Sequence, residues 1–577
     1  MIAIKTKKLL IGSFWLLASV AVSRLAGLLL KIPLANLLGG TGMGYYSSAY
    51  AVFMPLYAVA AGSLPPAIAH YTAKSLACGR EDEVKRLKIS CIVFFGAIGL
   101  LLSLIPLVFS GFIAQRIIGN PESRLSVAAI SPCVFFGTVT AIYRGISEGR
   151  GSMAPTALSQ MTDAIVKLIS GLGLATLTRV SALNAYSRGL SVFGRVCVSE
   201  QEAISAALPY ISAAAVLGTA IADLASMLYM IIDSKRLKTR HKALFGQSRT
   251  NPPLPDGRLI KELAGGLLPI AMASLITSLL GTIDLFTIIS ILKGCLRKYP
   301  ELYSAVYSSV LAGGVSLKEL PNFLYGSFSG LSMAIFTLAP SLCAVFGKSA
   351  FPDVAGYYAS GKKELASREI RRSVTIANYI AIPAGLGLCL FSREILSLLF
   401  SQRQAEISVS YLPLSVLAVG TPFLAVLSIS DSLLQAIGRQ DITVRITLIG
   451  AVTKLAFNTL LIPFRQWGLC GASAATVLSY IVMCIMSVHS LYRLTGTKAR
   501  LSLSVAVPIA VGGVSVLAGR LFYQRLPDYY RGSGEVLGSN EAASLLLAVG
   551  ISVILYILLS VFLDISTKNK LREQIFD

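Results

Sequence analysis

Leu9 to Lys31 reads LLIGSFWLLASVAVSRLAGLLLK, and the class of the fold follows from it. Apart from Arg24 and Lys31 this stretch holds no ionisable side chain. A helix of about 20 such residues crosses a hydrocarbon core of about 30 Å. Fourteen stretches of this kind recur, from 9–31 and 44–67 at one end to 501–522 and 542–563 at the other. The composition agrees: 577 residues, 54% hydrophobic and only 14% charged, with a mean hydropathy of +0.71. A soluble globule needs more polar cover than that. The expectation is an all-α polytopic membrane protein with 14 transmembrane helices and no soluble domain. The basic residues Lys5 to Lys8 precede the first span, but that span is too long for a signal peptide and carries Arg24 where such a segment is uninterrupted.

Orientation follows from the basic residues, because Lys and Arg near span ends are retained in the cytoplasm. With the N-terminal lysines inside, both termini are cytoplasmic. The densest basic segments, Lys235 to Lys261 and Lys348 to Arg372, then fall on the inner side, where they meet anionic lipid heads. The net charge of +23 is explained by that topology and does not argue for nucleic acid.

An internal repeat organises the spans. PAIAHYTAKSLACGREDEVKRLKIS from Pro66 resembles PDVAGYYASGKKELASREIRRS from Pro352, with the same spacing from Pro to Tyr and a basic segment after each. Lys167 and Lys454, in the fifth and eleventh spans, stand the same distance apart to within one residue. An even number of spans separates the copies, so the halves share one orientation in the membrane. Two parallel six-helix lobes are expected, 1–233 and 262–500, joined by a cytoplasmic basic linker over 234–261. The last two spans and a tail, 501–577, have no counterpart.

Ions inside spans are expensive, about 2.5 to 3.5 kcal/mol each at the bilayer centre even on the lenient scale. Arg24 and Lys31 share one stripe of the first helix with Gly27 and Leu28. Lys31 is near enough to the outer end to snorkel, whereas Arg24 is deeper and suits bidentate phosphate contact. In the fifth span Gln160, Asp163 and Lys167 follow helical spacing, with the acid one turn before the base. Lys454 has Gly450 in the place of that acid and Asn458 one turn on, so its partner is expected from another helix, a lipid phosphate or the substrate. Arg24, Lys31, Lys167, Lys454 and Asn458 are therefore the candidate substrate-binding residues. Asp284 lies at a depth close to that of Arg24, and a pair between them would gate alternating access. Asp163 and Asp223 are candidate coupling carboxylates, compatible with Na⁺ or H⁺. His70, His241 and His489 do not cluster, the nine cysteines lack metal-type spacing, and no GxxxxGK[ST] loop occurs. No catalytic residue, metal site or cofactor is expected.

Ser23 to Lys74, SRLAGLLLKIPLANLLGGTGMGYYSSAYAVFMPLYAVAAGSLPPAIAHYTAK, resembles the opening of the SpoVB (stage V sporulation protein B) and MurJ-type polysaccharide flippases of the MOP superfamily, which also includes MATE-like transporters. YRGISEGRGSMAPTALSQ from Tyr143, LYGSFSGLSMAIFTLAPSL from Leu324, VTKLAFNTLLIP from Val452 and the following GASAATVLSY are similar to the same group. The resemblance covers nearly the whole chain. It implies lobes around a central V-shaped cavity and transport of a polyprenyl-diphosphate-linked glycan, lipid II or a spore-cortex precursor, across the bacterial plasma membrane. A monomer that is no enzyme is expected. Through Ser23, Arg24 and Gly27 it assigns the diphosphate to Arg24. The chain departs from the group in having Leu30 beside Lys31, and in its long segments 179–207 and 293–322. The rival reading is a multidrug or organic-cation antiporter of the same fold, which would use carboxylates in place of cations.

Overall fold

In hydrocarbon a backbone N–H or C=O has no water to bind, so a segment that enters the bilayer must satisfy them within itself. The computed structural model describes residues 2–62, 64–77, 80–245, 257–464, 468–496, 501–525 and 539–566, and these are almost wholly helical. Apart from an isolated bridge between Val192 and Arg195, the described residues contain no strand pairing. The protein is an all-α, multi-pass membrane protein. Its main helices are α1 (Ile2–Tyr57), α2 (Leu64–Ala77), α3 (Glu81–Val108), α4 (Pro132–Gly149), α5 (Ala154–Ser187), α6 (Glu200–Phe245) and α7 (Gly257–Lys298). They continue with α8 (Leu320–Phe336), α9 (Leu338–Ala359), α10 (Lys363–Leu390), α11 (Gln404–Val419) and α12 (Thr421–Ala436). The last four are α13 (Gln440–Leu461), α14 (Gly468–Thr495), α15 (Leu501–Arg525) and α16 (Ser539–Ser566).

Among the described residues 11 helices are long and apolar enough to cross a membrane, or up to 13 if each bent pair is one span. The bent pairs are α8 with α9, at 46°, and α11 with α12, at 52°. The first apolar run covers 59 residues from Ala18 to Leu76. At about 1.5 Å per residue it is roughly three bilayer cores long. It is broken at Gly39, whose φ of 62° and ψ of −175° lie where a Cβ would clash with its own backbone.

The chain divides into two compact units, Met1–Phe286 and Thr287–Asp577, with the boundary inside α7. Part of the expected linker, 246–256, and the tail 567–577 lie outside the described residues. In the first unit α5 and α6 pack along their lengths, with α1 against both. Helices α2 and α3 pack on α4 around Leu64, Ile68, Leu87, Cys91 and Ile142. In the second, α9 and α10 pack on α12, α13 packs on α14, α15 lies on α10 and α16 on α15.

Small residues make these contacts close, as they must where lipid is as apolar as the side chains it replaces. A Cβ on Gly218 of α6 would overlap the backbone of Ser170 and Gly171 of α5. Across that contact the Ser170 hydroxyl donates to the Gly218 carbonyl at 2.9 Å. In the second unit Ser479 of α14 donates in the same way to the Gly450 carbonyl of α13, at 2.8 Å. The outer faces are aliphatic: Leu101, Val108, Leu546, Leu558 and Phe562 are exposed while Ser19, Ser48, Asp284, Lys454 and Asn458 are buried. A water-soluble chain shows the opposite arrangement.

Candidate functional site

The buried stripe of α1 runs through Ala26, Leu30, Leu34 and Leu38, so its Arg24 and Gly27 are left exposed. Lys31, about two turns beyond Arg24, is partly buried and lies within electrostatic range of both Arg24 and Lys167. Three of the candidate cations therefore occupy one region of the first unit, contributed by α1 and α5. Among the described residues no ion pair joins Arg24 to Asp284: the carboxylate is buried on α7, and the guanidinium is exposed. The expected gate contact is not made in this conformation.

Lys167 does not turn to the acid one turn before it. Its Nζ lies over the Tyr50 ring, 4.7 Å from the centroid, where the negative face of the ring attracts a cation. The Tyr50 hydroxyl in turn meets Thr219 Oγ1 at 2.6 Å, so α5, α1 and α6 are tied through one chain of contacts. Asp163 Oδ1 is buried without a hydrogen-bond partner, and the carboxyl acts on Lys167 only through space. Asp223 of α6 lies within electrostatic range of Asp163, Lys167 and Arg144, with the Cys133 thiol beside it. Gln160, on the same face of α5, accepts from the Ser19 hydroxyl at 2.9 Å. The fifth-span candidates and Asp223 thus form one polar cluster behind α1. The Tyr50–Thr219 bond gives a direct test. Tyr50→Phe and Thr219→Val should each lower the stability of the detergent-solubilised protein by about 1 kcal/mol. In thermal melts the double substitution should cost no more than either single one.

The remaining candidates, Lys454 and Asn458, belong to the second unit. They lie one turn apart on the buried face of α13, with Lys454 only 2% exposed, and Asn458 Nδ2 donates to Thr287 Oγ1 at 2.8 Å.

Two residues escape a reading of the sequence. Arg144, on α4, donates from Nε to Ser159 Oγ at 2.8 Å and from Nη2 to Ser226 Oγ at 3.2 Å. Both hydroxyls donate onward to backbone carbonyls, of Thr156 and Ser159, which leaves their lone pairs for the guanidinium. Asp431, on α12, accepts from the Ser487 hydroxyl at 3.0 Å. Each lies in the last two turns of its span, where charge is ordinarily credited to the interface. The signal was in the repeat: Arg144 and Asp431 stand as far apart as Lys167 and Lys454. Gly151 and Gly438, both at φ 75°, keep that same separation. The repeat thus carries a cation in one unit and an anion in the other, each held by a serine of its unit's α6 or α14.

Comparison with known proteins places these features in context. A family model described as polysaccharide biosynthesis protein matches residues 9–198, and the MatE model matches 327–460. Stage V sporulation protein B of Bacillus subtilis (strain 168) is 20% identical over 97% of this chain and 96% of its own length. The lipid II flippase MurJ of the same organism is 23% identical over 89% of this chain and 88% of its own. Among solved structures, lipid II flippase MurJ in an inward closed conformation superposes with a TM-score of 0.61 at 13% identity, over 95% of this chain and 98% of that one. An inward-facing multidrug resistance MATE family transporter of the MOP superfamily gives 0.57 at 16% identity, over 82% and 96%. The fold is that of the MOP-superfamily transporters. Within the MOP-superfamily fold, the two family models divide between the two units, one matching α1 to α5 and the other α8 to α13. Of these, MurJ is a flippase and the MATE protein a transporter by name, and the chain spans most of the length of stage V sporulation protein B and of MurJ.

Proposed function

We propose that this protein is a flippase that moves an undecaprenyl-diphosphate-linked saccharide, lipid II or a spore-cortex precursor, from the inner to the outer leaflet by alternating access, for peptidoglycan or cortex synthesis. The observation that carries this reading is the grouping of Arg24, Lys31 and Lys167 in one region of the first unit. A diphosphate cannot cross hydrocarbon unaided, and three neighbouring cations supply what its charge loses in leaving water. Arg24 takes the diphosphate as a bidentate donor, while Lys31 and Lys167 add positive potential. Lys454 and Asn458 would receive the head group in the second unit. Asp284, Asp163 and Asp223 serve coupling or gating, with Na⁺ or H⁺ as the ion.

No enzymatic step and no cofactor belong to this reading. With the inside negative, each negative charge moved outward gains about 2.3 kcal/mol per 100 mV, so the potential favours the cycle without ATP. On this reading the protein acts as a monomer in the bacterial plasma membrane, with both termini cytoplasmic and its basic loops on anionic lipid. Its lobes run over 1–233 and 262–500, joined by the linker 234–261, with 501–577 appended. This reading takes the run broken at Gly39 as two spans, for 14 in all. Proteoliposomes holding fluorescent lipid II test the function: protein-dependent loss of the label from one leaflet is expected. Antiport of organic cations with no movement of lipid II would establish the multidrug alternative, for which the carboxylates Asp163, Asp223 and Asp284 would be the binding groups.

A further inference from the structure

Within the second unit, α10, α12, α14 and α15 enclose a cavity of about 870 Å³. None of the residues discussed above as candidate site lines it. Its walls are aliphatic, with Ile382 and Leu386 from α10, Pro422 and Val426 from α12, Val488 from α14 and Ile509 from α15.

The cavity is a wedge with one closed end. Gly512 of α15 lies against Pro383 and Leu386 of α10. Beyond it Phe391 packs with Val516, Tyr523, Leu545 and Ala548, and Arg520 pairs with Glu394. Away from that contact the lining includes His489, Tyr492 and Arg493, in the last turns of α14, and Arg371 of α10 lies within Coulomb range of Tyr492. The side is open as well: Val419, Ile485 and Ile509 line the cavity and are more than half exposed. On membrane-spanning helices, exposed aliphatic side chains face lipid.

An apolar slot open sideways to the bilayer, closed at one end and cationic at the other, has the chemistry of one kind of ligand. We infer that this wedge binds an anionic glycerophospholipid of the bilayer, with an acyl chain between α10, α12, α14 and α15 and its phosphate held by Arg493 and His489. A single Arg at a helix end is explained by topology alone, but here the cations stand over an apolar cleft, which is how basic pockets between transmembrane helices take lipid head groups. An undecaprenyl diphosphate carries the same kind of head on a far longer chain, and competition between the two lipids separates them. The lipid would fill the joint between the repeated core of the unit and the appended helices α15 and α16, which have no counterpart in the repeat. The inference rests on the membrane setting and not on the identity of the transported cargo.

The test uses the full-length protein, stripped of lipid in detergent and titrated with phosphatidylglycerol or phosphatidylcholine under native mass spectrometry. A photoreactive acyl-chain phosphatidylglycerol then maps the site. Preferential retention of phosphatidylglycerol, with label on peptides of α10, α14 and α15, is expected. Arg493→Glu should weaken retention about tenfold, through loss of one favourable charge and gain of an unfavourable one. Val505→Trp, which narrows the open end of the cavity, should remove the label. Equal retention of the two lipids would overturn the inference. So would label confined to other helices, displacement by undecaprenyl diphosphate, or unaltered retention in Arg493→Glu.

Discussion

Arg24→Ala is expected to abolish growth rescue of a flippase-depleted strain while leaving the amount of protein in the membrane unchanged. The guanidinium is exposed, and among the described residues it makes no ion pair or hydrogen bond, so its removal breaks no contact that holds the fold. A charge in a span nevertheless costs about 2.5 to 3.5 kcal/mol at the bilayer centre. Under the proposed function, the partner that offsets this cost is the diphosphate of the substrate. The flipping rate in proteoliposomes should fall by about a hundredfold, the order associated with losing one charged transition-state contact. Arg24→Lys should recover part of the rate, because it restores the charge but not the bidentate fork. Normal growth of Arg24→Ala with normal flipping would take Arg24 out of the site. A drop in protein level would instead make it a structural residue.

The second large effect is structural. Gly218→Leu should prevent α5 and α6 from closing and leave little folded protein after solubilisation. A Cβ there already overlaps the Ser170 and Gly171 backbone, and backbone cannot move aside as a flexible side chain can. Overpacking a well-filled contact costs about 1 to 3 kcal/mol, and here the Ser170 bond to the Gly218 carbonyl is lost as well. Gly218→Ala should be milder but still measurable as a lower melting temperature. Gly173, one turn from this contact, has open space where a Cβ would stand, so Gly173→Ala should leave the melt unchanged. Equal behaviour of Gly218→Leu and Gly173→Ala would refute the close-packing account.

Much of this molecule was legible in the chain. The class follows from the repeated apolar stretches, because the free energy of entering hydrocarbon is a property of each side chain and needs no knowledge of its neighbours. The repeat was legible for a related reason. Lys167 and Lys454 keep their separation, and Gly151 and Gly438 end their helices in the same backbone conformation, because the two units are built from one pattern of spans and turns. Arg144 and Asp431 obey that register too, yet their position near span ends hid them, since hydropathy treats a charge near the interface as cheap.

Which groups meet was decided only by the tertiary structure. Spacing along α5 offers Asp163 to Lys167, but the lysine reaches across to Tyr50 on α1, a residue more than a hundred positions away in sequence. A long flexible side chain takes the best partner within its radius, and that radius is filled by whichever helices pack against it. The serines that hold Arg144 come from α5 and α6 for the same reason, and the apolar cavity exists only because α10, α12, α14 and α15 come together in the fold. The sequence determined that this is a membrane-embedded repeat of helices with costly charges inside. The packing of those helices determined which charges are satisfied, which lie exposed, and where lipid finds an apolar slot beneath an arginine.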